Sequence, residues 1–242
     1  LDATGARILA TQALQVQAAQ ALVTEGATLQ ADALTVQARD LRNAGGALVQ
    51  TGAQEQLIAL QGDLDNADGR ISSAGALRVQ AQGIRSSGLL SAAGDLTVDA
   101  DTFQGSGAHA VVAGLAADGS LGGPGSLRIS TRGALQSAGQ LLAADDVRLE
   151  GASLDLGRGQ VASARGDVDL NATGGDLLTR EAQVNASGQL RVTALAPGQT
   201  LDNTGGALSG QSVQVRAGQL RNAGGQIVAA QSAKFVMSYA RV

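Results

Sequence analysis

One short pattern recurs about every twenty residues along this chain: an apolar residue, a small polar or Gly turn, a second apolar residue, then an alternating apolar pair. The clearest copies are Leu201-Asp202-Asn203-Thr204-Gly205-Gly206-Ala207-Leu208 and, nineteen residues later, Leu220-Arg221-Asn222-Ala223-Gly224-Gly225-Gln226-Ile227. Units can be started at Leu1, Leu22, Leu41, Leu64, Ile84, Phe103, Leu135, Leu154, Leu177, Leu201 and Leu220, spaced by 19 to 24 residues except for one gap of 32. A fixed period of this length is the mark of stacked repeats, in which each unit buries its apolar face only against its neighbours.

Within the units apolar and polar residues alternate, as in Leu34-Thr35-Val36, Leu77-Arg78-Val79, Leu96-Thr97-Val98, Leu127-Arg128-Ile129 and Leu190-Arg191-Val192. A period of two predicts strands. Gly45-Gly46, Gly205-Gly206 and Gly224-Gly225 supply the positive φ that sharp corners require. The Ala-rich stretch from Gln12 to Leu22 has helix-forming residues, but 34 glycines at turn spacing would cost about 1 kcal/mol each inside helices. The expected fold is therefore all-β, a parallel β-helix of eleven rungs with two or three short strands each, about 50 Å long at ~4.8 Å per rung. With 44% hydrophobic residues but only 1% aromatic, its core is narrow and aliphatic.

Other classes fit poorly. No apolar run approaches the ~20 residues of a membrane-spanning helix, and no signal peptide opens the chain. The absence of cysteine excludes a disulfide scaffold. A net charge of −4 and the lack of any basic run give no footprint for nucleic acid. Arg78, Arg128, Arg148, Arg191 and Arg216 alternate with inward aliphatics and are placed on the solvated face, a solubility device that would also suit a sulfated glycan.

The units Leu41-Arg42-Asn43-Ala44-Gly45-Gly46, Leu64-Asp65-Asn66-Ala67-Asp68-Gly69-Arg70-Ile71, Leu201 to Gly206 and Leu220 to Gly225 resemble the L-x-N-x-G-G-x-I haemagglutinin repeats of filamentous haemagglutinin, Bordetella type, and related two-partner-secreted exoproteins. The resemblance covers all but the unit from Phe103 to Ala134. It implies a right-handed parallel β-helix, secretion through an outer-membrane transporter partner, and display at the bacterial surface as a filamentous adhesin. The repeat is already in phase at Leu1, which leads us to expect a single shaft segment, 1–242, from a longer exoprotein. The family's Asn-Pro-Asn secretion signatures are not among its residues. A Gly-rich insertion is expected at 103–133, as a loop or hairpin leaving the shaft with His109 solvent-exposed, and a capping or junction strand at 234–242.

One tripeptide stands apart, Arg165-Gly166-Asp167, between the inward-facing Val161 and Val168. An Arg and an Asp projecting from a Gly turn can reach an acidic pocket and a receptor-held divalent cation together, the carboxylate serving as a hard oxygen ligand. In the resembled family this motif is read by integrins, and the role transfers to Arg165, Gly166 and Asp167 alone. Against it, Gly94-Asp95 occupies the equivalent turn, so that only Arg165 is new to the repeat.

No catalytic, metal or cofactor site is expected. Asp145-Asp146 and the Asp63, Asp65 pair read as solvated turn acids, the G-x-G-x-D type of calcium repeat is missing, and one histidine without cysteine supplies neither zinc nor nucleophilic chemistry. Asn171-Ala172-Thr173 and Asn185-Ala186-Ser187 read as chance matches to a glycosylation acceptor. Three functions stay open: a non-enzymatic adhesin shaft with an integrin or glycan as host partner, a passive spacer of a contact-dependent growth-inhibition toxin exoprotein, and a polysaccharide-degrading β-helix enzyme. Cut shaft ends expose strand edges, so end-to-end self-association is expected of the fragment.

Overall fold

The computed structural model describes residues 1–196 and 198–238. All regular structure among them is strand, and every strand pairing is parallel. The chain winds as a solenoid with three strands per rung and therefore three faces. The first face starts at Arg7–Leu9 and runs through Thr28–Ala31 and Ala47–Gln50 to Gln183–Ala186; the second starts at Ala13–Ala18 and runs through Ala33–Ala38 to Gln189–Ala194. The third is a separate ten-stranded sheet from Leu22–Val23 to Gln219–Arg221. Near the C-terminal end the first two faces run together, because Ala207–Ala217 and Gln226–Met237 pass their shared corner as single strands, with a register shift between Gly210 and Ser212.

Register is what turns the repeat into a core. On the third face Leu22, Leu41, Leu64, Ile84, Phe103, Leu135, Leu154, Leu177, Leu201 and Leu220 lie one above another. On the second, Val16, Val36, Ile58, Val79, Val98, Ile129, Leu149, Leu170, Val192 and Val215 do the same. Burying one such side chain contributes about 1.5–3 kcal/mol, and a slip of one residue would turn the whole row to solvent. Ile8 in the first rung and Phe235 in the last described one are exposed, since among the described residues no rung lies beyond them.

A polar ladder lines the corner between the third and first faces. The Thr24 hydroxyl donates to Asn43 Oδ1 at 2.8 Å, Asn43 Nδ2 to Asn66 Oδ1 at 2.8 Å, and Asn66 Nδ2 to the Ser86 hydroxyl at 3.2 Å. Further along, the Thr179 hydroxyl donates to Asn203 Oδ1 at 2.9 Å and Asn203 Nδ2 to Asn222 Oδ1 at 2.7 Å. Each of these Asn side chains also donates to the carbonyl three residues on, closing its own turn. The two glycines of the turn do different work. Gly45 takes the positive φ of 59°, whereas Gly46 does not, and is needed because a Cβ there would overlap the Thr24 carbonyl oxygen.

His109 is not the exposed loop residue that the sequence leads one to expect. It is fully buried. At the ladder position of its rung stands Gly105, where a Cβ would overlap the His109 imidazole. The ring takes the missing side chain's place and lies 2.9 Å from the Ser137 hydroxyl, tilted against Phe103 at a centroid distance of 6.3 Å. The long rung is also more regular than expected. Thr102–Gly105, Ala110–Ala113 and Leu127–Thr131 all hold register, and the extra length is concentrated in residues 114–126 at the corner between the first and second faces. Within 234–242, Lys234–Met237 continue the strand Gln226–Met237, and residues 239–242 lie outside the described residues.

One core position departs from the aliphatic rule. Gln56 stacks on Leu77 in the second-face row that also holds Leu96 and Leu127, yet it is fully buried and neither its amide nitrogen nor its oxygen has a partner. An unpaired buried polar group costs about 1–3 kcal/mol, so Gln56→Leu is expected to stabilise by that order, read as a raised urea midpoint. Asn66→Ala should act oppositely by about 1–3 kcal/mol, because it takes the acceptor from one buried N–H of the Asn43 amide, whose other bond goes to the Gly46 carbonyl.

A pH dependence follows from His109. Burial holds its imidazole below the ordinary value of 6.5, with the backbone of Ser106 and Gly107 partly opposing. The unfolded chain then takes up a proton that the fold refuses, so this contribution is present above the unfolded value and is lost as pH falls from there toward the folded value. The urea midpoint should fall as the pH drops below about 6.5, and His109→Gln should flatten that part of the profile.

Candidate functional site

The Arg-Gly-Asp turn lies at the corner between the first-face strand Gln160–Ser163 and the second-face strand Val168–Ala172. Arg165 is exposed, its side chain 49% accessible, whereas Gly166 and Asp167 are half-buried, the Asp167 side chain 40% accessible. Both ends of the motif are nevertheless engaged by neighbouring rungs.

Asp167 belongs to a device repeated along the shaft. In the residue just before a strand, a carboxylate reaches to the next rung and accepts the backbone N–H at the equivalent position. Asp95 accepts from Ser126 N at 2.9 Å, Asp146 from Asp167 N at 2.8 Å, and Asp167 from Gln189 N at 2.7 Å. The corner between the second and third faces does the same, with Asp40 accepting from Asp63 N at 2.9 Å and Asp63 from Gly83 N at 3.0 Å. The other oxygen of Asp167 faces Arg191 at 3.3 Å. Gly166 donates its N–H to the Ser163 hydroxyl at 2.7 Å, and a Cβ on it would overlap Asp146 Oδ1, so the glycine follows from rung packing.

Arg165 has no counterpart elsewhere in the repeat. Its Nε and Nη2 both donate to Asp145 Oδ1, at 3.1 and 2.9 Å, and Nη2 also donates to the Gly123 carbonyl at 2.8 Å. Asp145 in turn accepts the Gly125 N–H on its second oxygen at 2.9 Å. That backbone N–H first, and the guanidinium second, hold the Asp145 carboxyl below the usual carboxylate range. The neighbouring acids Asp145 and Asp146 thus serve different partners, as their adjacent positions in a turn predict.

The carboxylates do not gather into a reactive group. Asp63 accepts the Gly83 N–H of the next rung, and Asp65 accepts the Ala67 N–H of its own turn. A groove beside the corner between the second and third faces carries Asp99 and Glu150, but Asp99 pairs with Arg78 at 2.9 Å and Glu150 with Arg148 at 3.1 Å. Among the described residues no three His, Cys, Asp or Glu side chains converge as a metal site. Arg78, Arg148 and Arg191 stand on the outer face as the alternation predicts. What sequence reasoning does not supply is the pairing of Arg78 with Asp99 and of Arg191 with Asp167, which depends on the register between rungs.

The haemagglutinin repeat matches residues 1–68, 65–114, 91–196 and 164–234. The chain is 34% identical over 228 residues to the Yersinia pestis protein named Toxin CdiA, an alignment that takes in 94% of this chain and 6% of that much longer protein. No solved structure matches it. A three-faced parallel solenoid with Asn corner ladders and matches along nearly its whole length places the chain in the haemagglutinin-repeat family of secreted, cell-surface, two-partner-secretion exoproteins.

Proposed function

We propose that this segment is a length of non-enzymatic shaft, a stiff spacer that sets the reach of a longer exoprotein exported with an outer-membrane transporter partner. The observation that carries this reading is the unbroken stacking of the inward rows from rung to rung, which continues through the long rung of Phe103. A relative named as a toxin favours the spacer of a toxin exoprotein over an adhesin shaft. The pairing of Asp99 and Glu150 with arginines weighs against the polysaccharide-degrading reading, because carboxylates meant for acid and base roles need different protonation states.

A spacer tolerates a change of length in whole rungs. Excising residues 22–63 joins Ala21 to Leu64 in phase. The product is expected to keep its β-sheet circular dichroism and to lose about 10 Å of maximum dimension in small-angle scattering, since two rungs stack at ~4.8 Å each. The corresponding excision in the whole exoprotein should leave secretion intact. A shortened chain that unfolds, or a folded one whose whole exoprotein loses an activity insensitive to reach, would refute the spacer.

A second reading, attachment to a host integrin through Arg165, Gly166 and Asp167, is favoured by the exposure of Arg165 and the partial exposure of Asp167 at a corner of the rod. If the turn is a receptor site, divalent-cation-dependent binding to integrin-bearing cells is lost in both Asp167→Glu and Arg165→Ala. Binding that is unchanged in both, with circular dichroism also unchanged, leaves the three residues as rung contacts. A glycan partner would instead show as cation-independent binding that soluble polysaccharide competes away. The uncovered Ile8 and Phe235 favour end-to-end association of the isolated chain, expected as concentration-dependent sedimentation.

A further inference from the structure

The insertion and the Arg-Gly-Asp turn meet at one corner of the rod, and their contact is lopsided. The outgoing leg of the insertion is tied to the rung before it, with Gly114 N donating to the Gly94 carbonyl at 3.1 Å and Leu115 N to the Ala92 carbonyl at 2.9 Å. Its tip bonds to itself, through Ala116 N to the Ser120 carbonyl and Gly119 N to the Ala116 carbonyl. The returning leg, Gly122-Gly123-Pro124-Gly125, is held by two backbone bonds, Gly123 N to the Gly114 carbonyl at 3.2 Å and Asp145 N to the Gly125 carbonyl at 3.0 Å, and by two side chains of the rungs beyond it. The Arg165 guanidinium donates to the Gly123 carbonyl, and Asp145, itself bound by Arg165, accepts the Gly125 N–H. A leg this rich in glycine gains much conformational freedom on release, so its position depends on these few bonds.

We propose that the insertion is a latch over the Arg-Gly-Asp turn, with Arg165 as its bolt. Nε and Nη2 of Arg165 are spent on Asp145 and on the returning leg, and Nη1 faces the Gly122 carbonyl of that leg at 3.5 Å. The turn offers its guanidinium to such a partner only when residues 122–125 swing away. Asp167 stays as it is in both states, held by Gln189 N and Arg191. This inference rests on the receptor reading of the turn, and its test separates the two.

Hydrogen exchange of the segment 114–126 reads the latch without any receptor. Arg165→Ala should speed its exchange roughly five- to tenfold, as expected for the loss of hydrogen bonds to a charged group. Arg165→Lys, which keeps the charge but not the planar fork, should restore part of the protection. Unchanged exchange in Arg165→Ala overturns the latch. Binding to an immobilised Arg-Gly-Asp-recognising integrin ectodomain with divalent cation reads the gate. Replacing residues 114–126 by the Ala-Gly-Ala corner of 74–76 should raise that binding severalfold, and adding Asp167→Glu should abolish it. Equal, measurable binding by the native and short-corner proteins overturns the gate and leaves the receptor reading standing. No binding by any variant, with exchange accelerated, removes the receptor reading and the gate with it.

Discussion

Parallel pairing in register, from one rung to the next, is the constraint on which everything else in this molecule depends. It sets the rung spacing, and it forces chemically like positions on top of one another. An aliphatic side chain placed inward then meets its own kind above and below, and a narrow core with almost no aromatic residues fills. The same constraint makes errors conspicuous. Gln56 stands in a row of leucines because register puts it there, and it has no hydrogen-bond partner to compensate.

The corners obey the same rule with polar chemistry. Side-chain amides stacked about one rung apart satisfy each other, and carboxylates at strand entries accept backbone N–H groups from the following rung. These contacts meet the requirement that buried or half-buried polar groups find partners. They also explain why Asp167 is an ordinary member of the shaft while Arg165 is not. Where the amide ladder lacks a side chain, at Gly105, an imidazole from four residues on fills the space, so one position is supplied by a different stretch of chain without loss of register.

Much of the fold was legible in the sequence. The period, the alternation and the corner glycines specify parallel stacking, the inward residues and the outward arginines. Leu64, Leu135 and Leu201, read as unit starts, do lie in one row. Periodicity marks strands but not corners, so the sequence allows two or three strands per rung where the fold has three. The burial of His109 was missed for a specific reason: its partner position is a glycine, and an empty site has no signature until the ring is seen to enter it. The extent of the insertion was overestimated for a related reason, since the sequence around Gly105 and Gly107 looks like loop while its backbone keeps the ladder. At the candidate site, the partial exposure of the Arg-Gly-Asp turn could be read from its flanking valines. The engagement of Arg165 by Asp145 and Gly123 could not, because those residues are 20 and 42 positions away and only the rung geometry brings them together.

Among the described residues, three corners adopt the left-handed conformation without glycine, at Asp68, Arg158 and Glu181. Each recovers part of the strain through its own side chain. Asp68 bonds with Ser87, and Arg158 pairs with Glu181 on the next rung at 3.1 Å. Elsewhere the same position is a bare glycine with open space where a side chain would stand, as at Gly26, Gly45 and Gly224. The corner row is thus a set of mounting points that face outward and leave the interior untouched. A shaft built this way can change its surface lettering, one corner at a time, for a local strain of about 1–2 kcal/mol, while the rod beneath keeps its shape.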